Sequence, residues 1–246
     1  MPAAVDLRHL DTTQRATLGV AAVLTVAAGV VTGAGAGPVV RFAVAGLALA
    51  ALAALVGQAI EQVGDRLGPG ATGLLQSTLG NLPELFVALF ALSKGLTGVV
   101  QAALIGSILG NALLVLGCAF VAGGLRHGTQ RFDPEEPRLN ASLLLLVVAA
   151  LLVPTLAKRL QTPAAAHISA LSDACAIALL VVYAATIPFY LRRRVIQPEG
   201  AETPGAADAS PPWPLPLSIG LLAVASAGAA LASDWFVSPL EPAVRS

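Results

Sequence analysis

A short stretch inside a long apolar run carries side chains that could bind a cation. It reads Gly80-Asn81-Leu82-Pro83-Glu84-Leu85, so a carboxylate, a carboxamide, a glycine and a proline lie close together. An ionisable group at membrane depth is costly and usually faces a bundle interior or a water-filled path. Glycine and proline loosen the helical hydrogen-bond ladder there, so backbone carbonyls become available as ligands. The stretch predicts half of an ion-binding site in a membrane transporter.

A second polar set lies on the next apolar segment of the chain. If the two segments form an antiparallel hairpin, Asn81 and Glu84 share a depth with Ser107 and Asn111. Residues three or four positions apart lie on one face of a helix, so each pair presents its side chains together. We therefore expect two polar pairs to meet near the middle of the bilayer.

The ligands in this predicted site are all oxygen atoms. A carboxylate, two carboxamides and a hydroxyl, with carbonyls near Pro83, suit a hard cation such as Ca²⁺. Glu84 could hold either a cation or a proton, and mutually exclusive occupancy is a direct physical route to exchange. Glu84 and Asn81 are the predicted metal ligands. Four residues are predicted to bind the cation and exchange the proton: Glu84, Asn81, Ser107 and Asn111.

The glycines and the proline have predicted structural roles. Gly80 and Pro83 would break the helix, and Gly106 and Gly110 form a G-x-x-x-G step that lets helices approach closely. Ser107 alone is explained as well by plain interhelical hydrogen bonding as by ion binding.

Glu61 ends the preceding apolar segment. Such a residue is more often a solvated charge at a helix end. The other interpretation is that it lines the access path of the cation.

The composition indicates a protein embedded in a bilayer. Of the 246 residues, 56% are hydrophobic and 11% are charged, whereas soluble domains carry about 25% charged residues. The net charge of +0 offers no basic patch for nucleic acid. The sequence shows no nucleophile–base set, Cys/His cluster or phosphate loop, so we predict neither an enzyme nor a cofactor. The predicted partners are the lipid bilayer, Ca²⁺ and protons.

Hydropathy predicts an all-α, polytopic membrane protein with about seven transmembrane helices, each near the roughly 20 residues that cross a bilayer. A polar loop, 126–140, separates the fourth and fifth spans. With the N-terminus inside, nine Lys and Arg residues fall on the inner side and five on the outer. This bias favours a cytoplasmic N-terminus. The short loops are typical of a bacterial protein, so we expect the inner membrane. The predicted spans are 16–31, 39–60, 70–92, 98–121, 141–157, 168–191 and 217–237.

The chain resembles the Ca²⁺/H⁺ antiporters of the cation/Ca²⁺ exchanger superfamily. The resemblance implies that Glu84 is the carboxylate of the transported ion and that Asn81 is a neighbouring ligand or a helix-break residue. Ser107 and Asn111 would then be polar partners on the facing helix. The residues that carry the resemblance include Glu61 and the Gly80–Glu84 stretch. The others are Val100-Gln101-Ala102, Gly106-Ser107-Ile108-Leu109-Gly110-Asn111, Gly123-Gly124-Leu125-Arg126-His127 and Gln130-Arg131-Phe132.

The same resemblance bears on the counter-ion. Related Na⁺/Ca²⁺ exchangers typically show a Ser where Asn81 stands, so Asn81 favours protons. Na⁺/Ca²⁺ exchange is the alternative. Transport by either would proceed through alternating access around a fixed site at the midplane.

The resemblance also suggests a division of the chain into four regions. A polar N-terminal tail (1–15) precedes an exchanger-type membrane region of six helices (16–192), which corresponds to the first of two inverted repeats. A Pro/Gly/Ala-rich linker (193–216) leads to the start of a truncated second repeat (217–246).

One departure from the exchanger pattern concerns the second repeat. The seventh span resembles the second, with Glu61 and Glu241 180 positions apart, so a second Gly-Asn motif would fall near position 261. A divalent ion held by one carboxylate should bind weakly.

Three explanations compete for the missing motif. The chain is a fragment or a prematurely terminated gene, which we favour; it dimerises antiparallel; or a second half-chain completes the site. A transport-inactive truncated protein or a partner half-subunit is therefore an alternative function of another class.

Overall fold

The computed structural model describes residues 10–67, 69–129, 135–192 and 213–241. Within these ranges the backbone forms nine α-helices, with a π-helical segment (Gly110–Val115) and a 3₁₀ helix (Pro163–His167). The α-helices are α1 (Thr12–Gly33), α2 (Pro38–Leu67), α3 (Pro69–Leu79), α4 (Leu82–Ser93), α5 (Thr97–Leu109), α6 (Leu116–His127), α7 (Glu135–Arg159), α8 (Ile168–Arg192) and α9 (Leu215–Val237).

Several predicted features fall wholly or partly outside the described residues. They are the start of the polar tail (1–9), the Gln130-Arg131-Phe132 motif, most of the linker (193–212) and the last part of the second-repeat region (242–246).

Seven helical segments of the described chain are long and apolar enough to cross a membrane. They correspond one to one with the predicted spans and confirm the all-α membrane architecture. The third span, Ala71–Ser93, consists of two helices instead of one. The predicted loop 126–140 is too long, because α6 continues to His127 and α7 begins at Glu135. Hydropathy marks only the apolar part of a helix, whereas the hydrogen-bond ladder continues into polar turns.

The chain forms two compact units, of which the first comprises residues 1–110 and 193–246. The core of this unit is the contact between α2 and α9. The ring of Phe42, early in α2, stacks on that of Phe236, late in α9, with centroids 4.5 Å apart. Further along, Leu52 lies against Gly228. The helices therefore run antiparallel. Their small side chains let the backbones approach closely. The buried alanines of this core are Ala45, Ala48, Ala225, Ala229 and Ala232.

The N-terminal end of α9 is fixed by Trp213, which is fully buried. The indole Nε1–H of Trp213 donates to Oε1 of Gln14 over 2.8 Å, and its backbone N–H donates to Oε1 of Gln62 over 2.8 Å. Its carbonyl oxygen accepts a 2.6 Å hydrogen bond from Nη2 of Arg66. These three bonds join α1, α2 and α9 at one end of the unit.

Two further contacts hold α3, α4 and α5 on the α2–α9 core. Gly64 of α2 faces Thr72 of α3 so closely that a methyl group at Gly64 would overlap the threonine side chain. At the other end, α9 packs on the turn between α4 and α5. The buried residues of that second contact are Ala91, Leu96, Val100 and Val237.

The second compact unit covers Asn111–Arg192. In it, α7 packs against α8, and the 3₁₀ helix contacts both. The connecting turn places Gln161 at φ 49°, a left-handed conformation that is uncommon for residues other than glycine. α7 and α8 each contain a proline inside the helix, Pro154 and Pro188.

Candidate functional site

The third span is interrupted in its middle, at Gly80 and Asn81. α3 ends at Leu79 and α4 begins at Leu82, although both helices belong to one apolar span. Pro83 lies in the first turn of α4 and has no N–H, so the carbonyl of Leu79, four residues earlier, cannot receive its usual helical hydrogen bond. Irregular backbone at membrane depth is tolerated only where it is buried in protein or lines a polar cavity. The break therefore marks a place where backbone oxygen atoms are available.

Asn81 bridges the two helices through its backbone and its side chain. Its φ and ψ are −93° and 10°, outside helical geometry. Its Nδ2 donates to the carbonyl oxygen of Ser77 in α3 over 2.9 Å, and its own carbonyl accepts from the N–H of Leu85 in α4 over 3.0 Å. Because the amide nitrogen makes the contact with α3, the amide oxygen of the exposed side chain lies outside that bond and can act as a ligand.

Glu84 lies in the first turn of α4. Its side chain is exposed, whereas that of Pro83 before it is buried. Within the described residues, no hydrogen bond or ion pair engages the Glu84 carboxylate. The position thus leaves both oxygens of the Glu84 carboxylate open to a cation.

The fourth span departs from regular α-helix where the sequence places its polar pair, Ser107 and Asn111. The N–H of Gly110 is shared between the carbonyl oxygens of Gly106 and Ser107, and the six residues Gly110–Val115 form a π-helical segment. Asn111 lies in this segment and is exposed, whereas Ser107 is half-buried. Short π segments inside α-helices occur frequently at functional sites.

The predicted residues are brought together only in part. Asn81 and Glu84 share one helix end, and Ser107 lies on α5, which packs against α4. In the described part of the chain no hydrogen bond joins Ser107 to Asn81 or Glu84. Asn111 belongs to the second compact unit. That the two polar pairs meet at the midplane stays a prediction.

The predicted roles of the two glycines on α5 and of Glu61 also stay predictions. A methyl group at Gly106 or Gly110 would meet no heavy atom within 4 Å among the described residues, so close helix packing is not seen at this step. Glu61 is exposed on α2, which fits both a solvated charge and an access path. Nowhere in the described ranges do three or more His, Cys, Asp or Glu side chains form a group that could hold a metal ion.

The π-helical segment is the feature of the site that sequence reasoning missed. Gly110 is predicted to allow close helix packing and Asn111 to bind the cation, and neither prediction concerns the hydrogen-bond register of the backbone. A run of Gly, Asn, Ala and Leu is equally compatible with an α-helix, so residue types gave no signal of the change in hydrogen-bond register.

Comparison with known proteins identifies related sequences. The family model described as "Sodium/calcium exchanger protein" matches residues 37–191. A "Ca(2+)/H(+) antiporter" of Synechocystis sp. is 40% identical over 220 residues, which are 83% of this chain and 59% of the relative. The "Ca(2+)/H(+) antiporter ChaA" of Bacillus subtilis is 39% identical over 165 residues, which are 66% of this chain and 46% of the relative.

A solved structure agrees with these sequence matches. The structure described as native YfkE superposes with a TM-score of 0.73 at 28% identity, covering 94% of this chain and 63% of that one. The chain thus spans about three-fifths of the length of that structure and of the Synechocystis relative.

Proposed function

Because this chain belongs to the sodium/calcium exchanger protein family, we propose that it is a secondary transporter or part of one, exchanging Ca²⁺ for H⁺ at Glu84. The observation that carries the proposal is the position of this carboxylate. Glu84 lies in the first turn of α4, just after a helix break inside an apolar span, and it has no polar partner among the described residues. A charged group without a partner at that depth is costly unless a cation or a proton occupies it.

The mechanism follows from what one carboxylate can hold. Ca²⁺ prefers oxygen ligands, and three kinds of oxygen lie near the break: the carboxylate of Glu84, the amide oxygen of Asn81 and the carbonyl of Leu79. Ser107 and Asn111 would add a hydroxyl and a second amide from the facing segment. A proton on Glu84 cancels the charge that holds the cation, so the two ions exclude each other. Alternating access of this site to the two sides of the membrane would then couple their movements.

The names of the relatives favour protons as the counter-ion. Two of the relatives are named Ca(2+)/H(+) antiporters. The description of the matching family model favours the second candidate, in which Na⁺ replaces H⁺. We propose a bacterial inner membrane, as the short loops suggest. The N-terminus would lie in the cytoplasm, since the Lys and Arg distribution favours that orientation.

A single carboxylate leaves part of the charge of a divalent ion uncompensated. Binding would be strengthened by a second anion from a second half-chain or another copy of this chain. A transport-inactive protein or a partner half-subunit is the corresponding candidate of another class.

Ion flux into proteoliposomes tests these candidates. The chain is reconstituted, and ⁴⁵Ca²⁺ uptake is measured with an imposed pH gradient and, separately, with a Na⁺ gradient. Glu84→Gln removes the charge with little change in shape, and Asp173→Asn on α8 is the matched neutralisation of an exposed carboxylate.

Each outcome selects one candidate. Uptake that needs the pH gradient, is abolished by Glu84→Gln and is retained by Asp173→Asn supports Ca²⁺/H⁺ exchange. Dependence on the Na⁺ gradient supports the second candidate. No uptake by well-folded protein supports an inactive chain or half-subunit and contradicts an exchanger that acts alone.

A further inference from the structure

A polar contact joins the end of the helix that carries Glu84 to the end of α9. Lys94 follows the last residue of α4, and its Nζ lies 2.7 Å from Oδ1 of Asp234 in α9. The same ammonium donates to Oγ of Ser238 over 2.6 Å. The hydroxyl of Ser238 in turn donates to the carbonyl oxygen of Asp234 over 2.7 Å. We call Lys94, Asp234 and Ser238 the α4–α9 clasp.

The clasp is only partly exposed to solvent. The side chains of Lys94 and Asp234 are 21% and 42% exposed. The buried apolar contact that includes Leu96 and Val237 lies beside it. An ammonium that binds both a carboxylate and a hydroxyl fixes direction better than an apolar contact, because hydrogen bonds to charged groups are directional and comparatively strong.

The other end of α4 has the opposite character. Gly80 and Asn81 interrupt the helix there, so the backbone of the span can bend at this point. α4 itself has 12 residues, a rigid segment of about 18 Å. It is thus a short rod with a break at one end and the clasp at the other. Glu84 lies in its first turn, next to the break.

We propose that Lys94 is a positioning residue for Glu84. By holding the C-terminal end of α4 on Asp234 and Ser238, it sets the angle of α4 about the break and so the place of the carboxylate. The restraint on α4 follows from the contacts alone, and its effect on ion binding rests on the proposed function. Loss of the clasp would let α4 adopt a range of angles.

Spin-label distances test the restraint without any transport assay. With Cys118→Ser and Cys175→Ser as background, labels are attached at Leu89→Cys on α4 and Val224→Cys on α9, both at exposed positions. Lys94→Met should broaden the distance distribution, and Lys94→Arg should restore it. Lys158→Met, which removes a cation at the end of α7, should leave it unchanged.

Exchanging the two charges distinguishes loss of the ion pair from misfolding of Lys94→Met. In Lys94→Asp with Asp234→Lys the pair is re-formed with reversed polarity, so a narrow distribution should return. An equally narrow distribution in Lys94→Met and in the unmodified protein would overturn the restraint.

Equilibrium ⁴⁵Ca²⁺ binding to the labelled proteins tests the link to Glu84. We expect Lys94→Met to raise the half-saturating concentration about tenfold, since misplacing a positioned group by about 1 Å costs up to about a hundredfold. The number of sites should stay the same, whereas mere loss of folded protein would lower the number of sites. Broadened distances with unchanged affinity would overturn the positioning role. Absence of binding in every variant, with distances still dependent on Lys94, would instead count against the proposed function.

Discussion

The N–H of Gly80 donates to the carbonyl oxygen of Gln76 over 3.1 Å, and that oxygen occupies the space that a side chain at Gly80 would need. The last turn of α3 can close in this way only because residue 80 has no Cβ. The next residue, Asn81, then leaves helical geometry, and α4 starts at Leu82. The close contact between Gly80 and Gln76 thus decides where the span breaks, and so where α4, with Glu84 in its first turn, begins.

Replacing this glycine should disturb the break. In Gly80→Ala the added methyl group overlaps the Gln76 oxygen, so either α3 or α4 must shift at a cost of about 1–3 kcal/mol. Thermal unfolding in detergent should show the loss of stability, and ⁴⁵Ca²⁺ binding should weaken with it. Gly73→Ala is the control, because a methyl group there meets open space and alanine favours the helix by about 0.5–1 kcal/mol. A Gly80→Ala protein as stable as the control would contradict this account of the break.

A second glycine should be needed where α2 meets α3. A methyl group at Gly64 would overlap the side chain of Thr72, so Gly64→Ala should destabilise the protein by about 1–3 kcal/mol. Combining it with Thr72→Ala, which removes the hydroxyl oxygen and the methyl group that lie nearest to the added carbon, should recover part of the loss. Gly57→Ala, on the same helix but facing open space, should not destabilise. Equal melting temperatures for Gly64→Ala and Gly57→Ala would contradict this prediction, because α2 and α3 could then separate at no cost in stability.

The buried indole of Trp213 offers a third prediction. Trp213→Phe removes the Nε1 hydrogen bond to Gln14 while it keeps an aromatic ring. Such a bond contributes about 0.5–1.5 kcal/mol, and the smaller ring adds a packing loss. A double-mutant cycle with Gln14→Leu, followed by thermal unfolding, isolates the coupling between the two side chains. Additive losses would mean that the bond does not stabilise the fold.

The sequence was sufficient for the spans and for the location of the break. Apolar runs of about 20 residues are nearly decisive in a membrane protein, and all seven correspond to helical segments of the described chain. The Gly-Asn-x-Pro pattern at Gly80 marked the interruption because proline removes a donor and glycine permits a tight turn. Both features depend on residues that are close together in the sequence, so residue types alone are enough to predict them.

The features that escaped prediction depend on contacts between distant segments. Lys94 and Asp234 are 140 positions apart, and each alone is an ordinary charge at a helix end. The same is true of Trp213, whose partners lie on α1 and α2. The π segment at Gly110–Val115 is a change of hydrogen-bond register that no residue type in it requires. Whether the polar pairs of the two spans meet depends on such contacts, and it stays a prediction.

The proposed competition between ions predicts a dependence on pH. A metal ligand must be deprotonated to bind, so ⁴⁵Ca²⁺ affinity should fall as the pH is lowered. The effect arises from the carboxylate of Glu84, and any residual binding in Glu84→Gln should not change with pH over the same range. Equilibrium binding at a series of pH values checks this. An affinity that is independent of pH would exclude proton competition at this residue.

The most direct test of the central claim is equilibrium ⁴⁵Ca²⁺ binding to the purified chain with and without the Glu84 carboxylate. We expect saturable binding in the unmodified protein and in Asp173→Asn, and its loss in Glu84→Gln, with all three proteins equally folded by circular dichroism. If Glu84→Gln binds Ca²⁺ as tightly as the unmodified protein, Glu84 does not hold the cation and the site lies elsewhere.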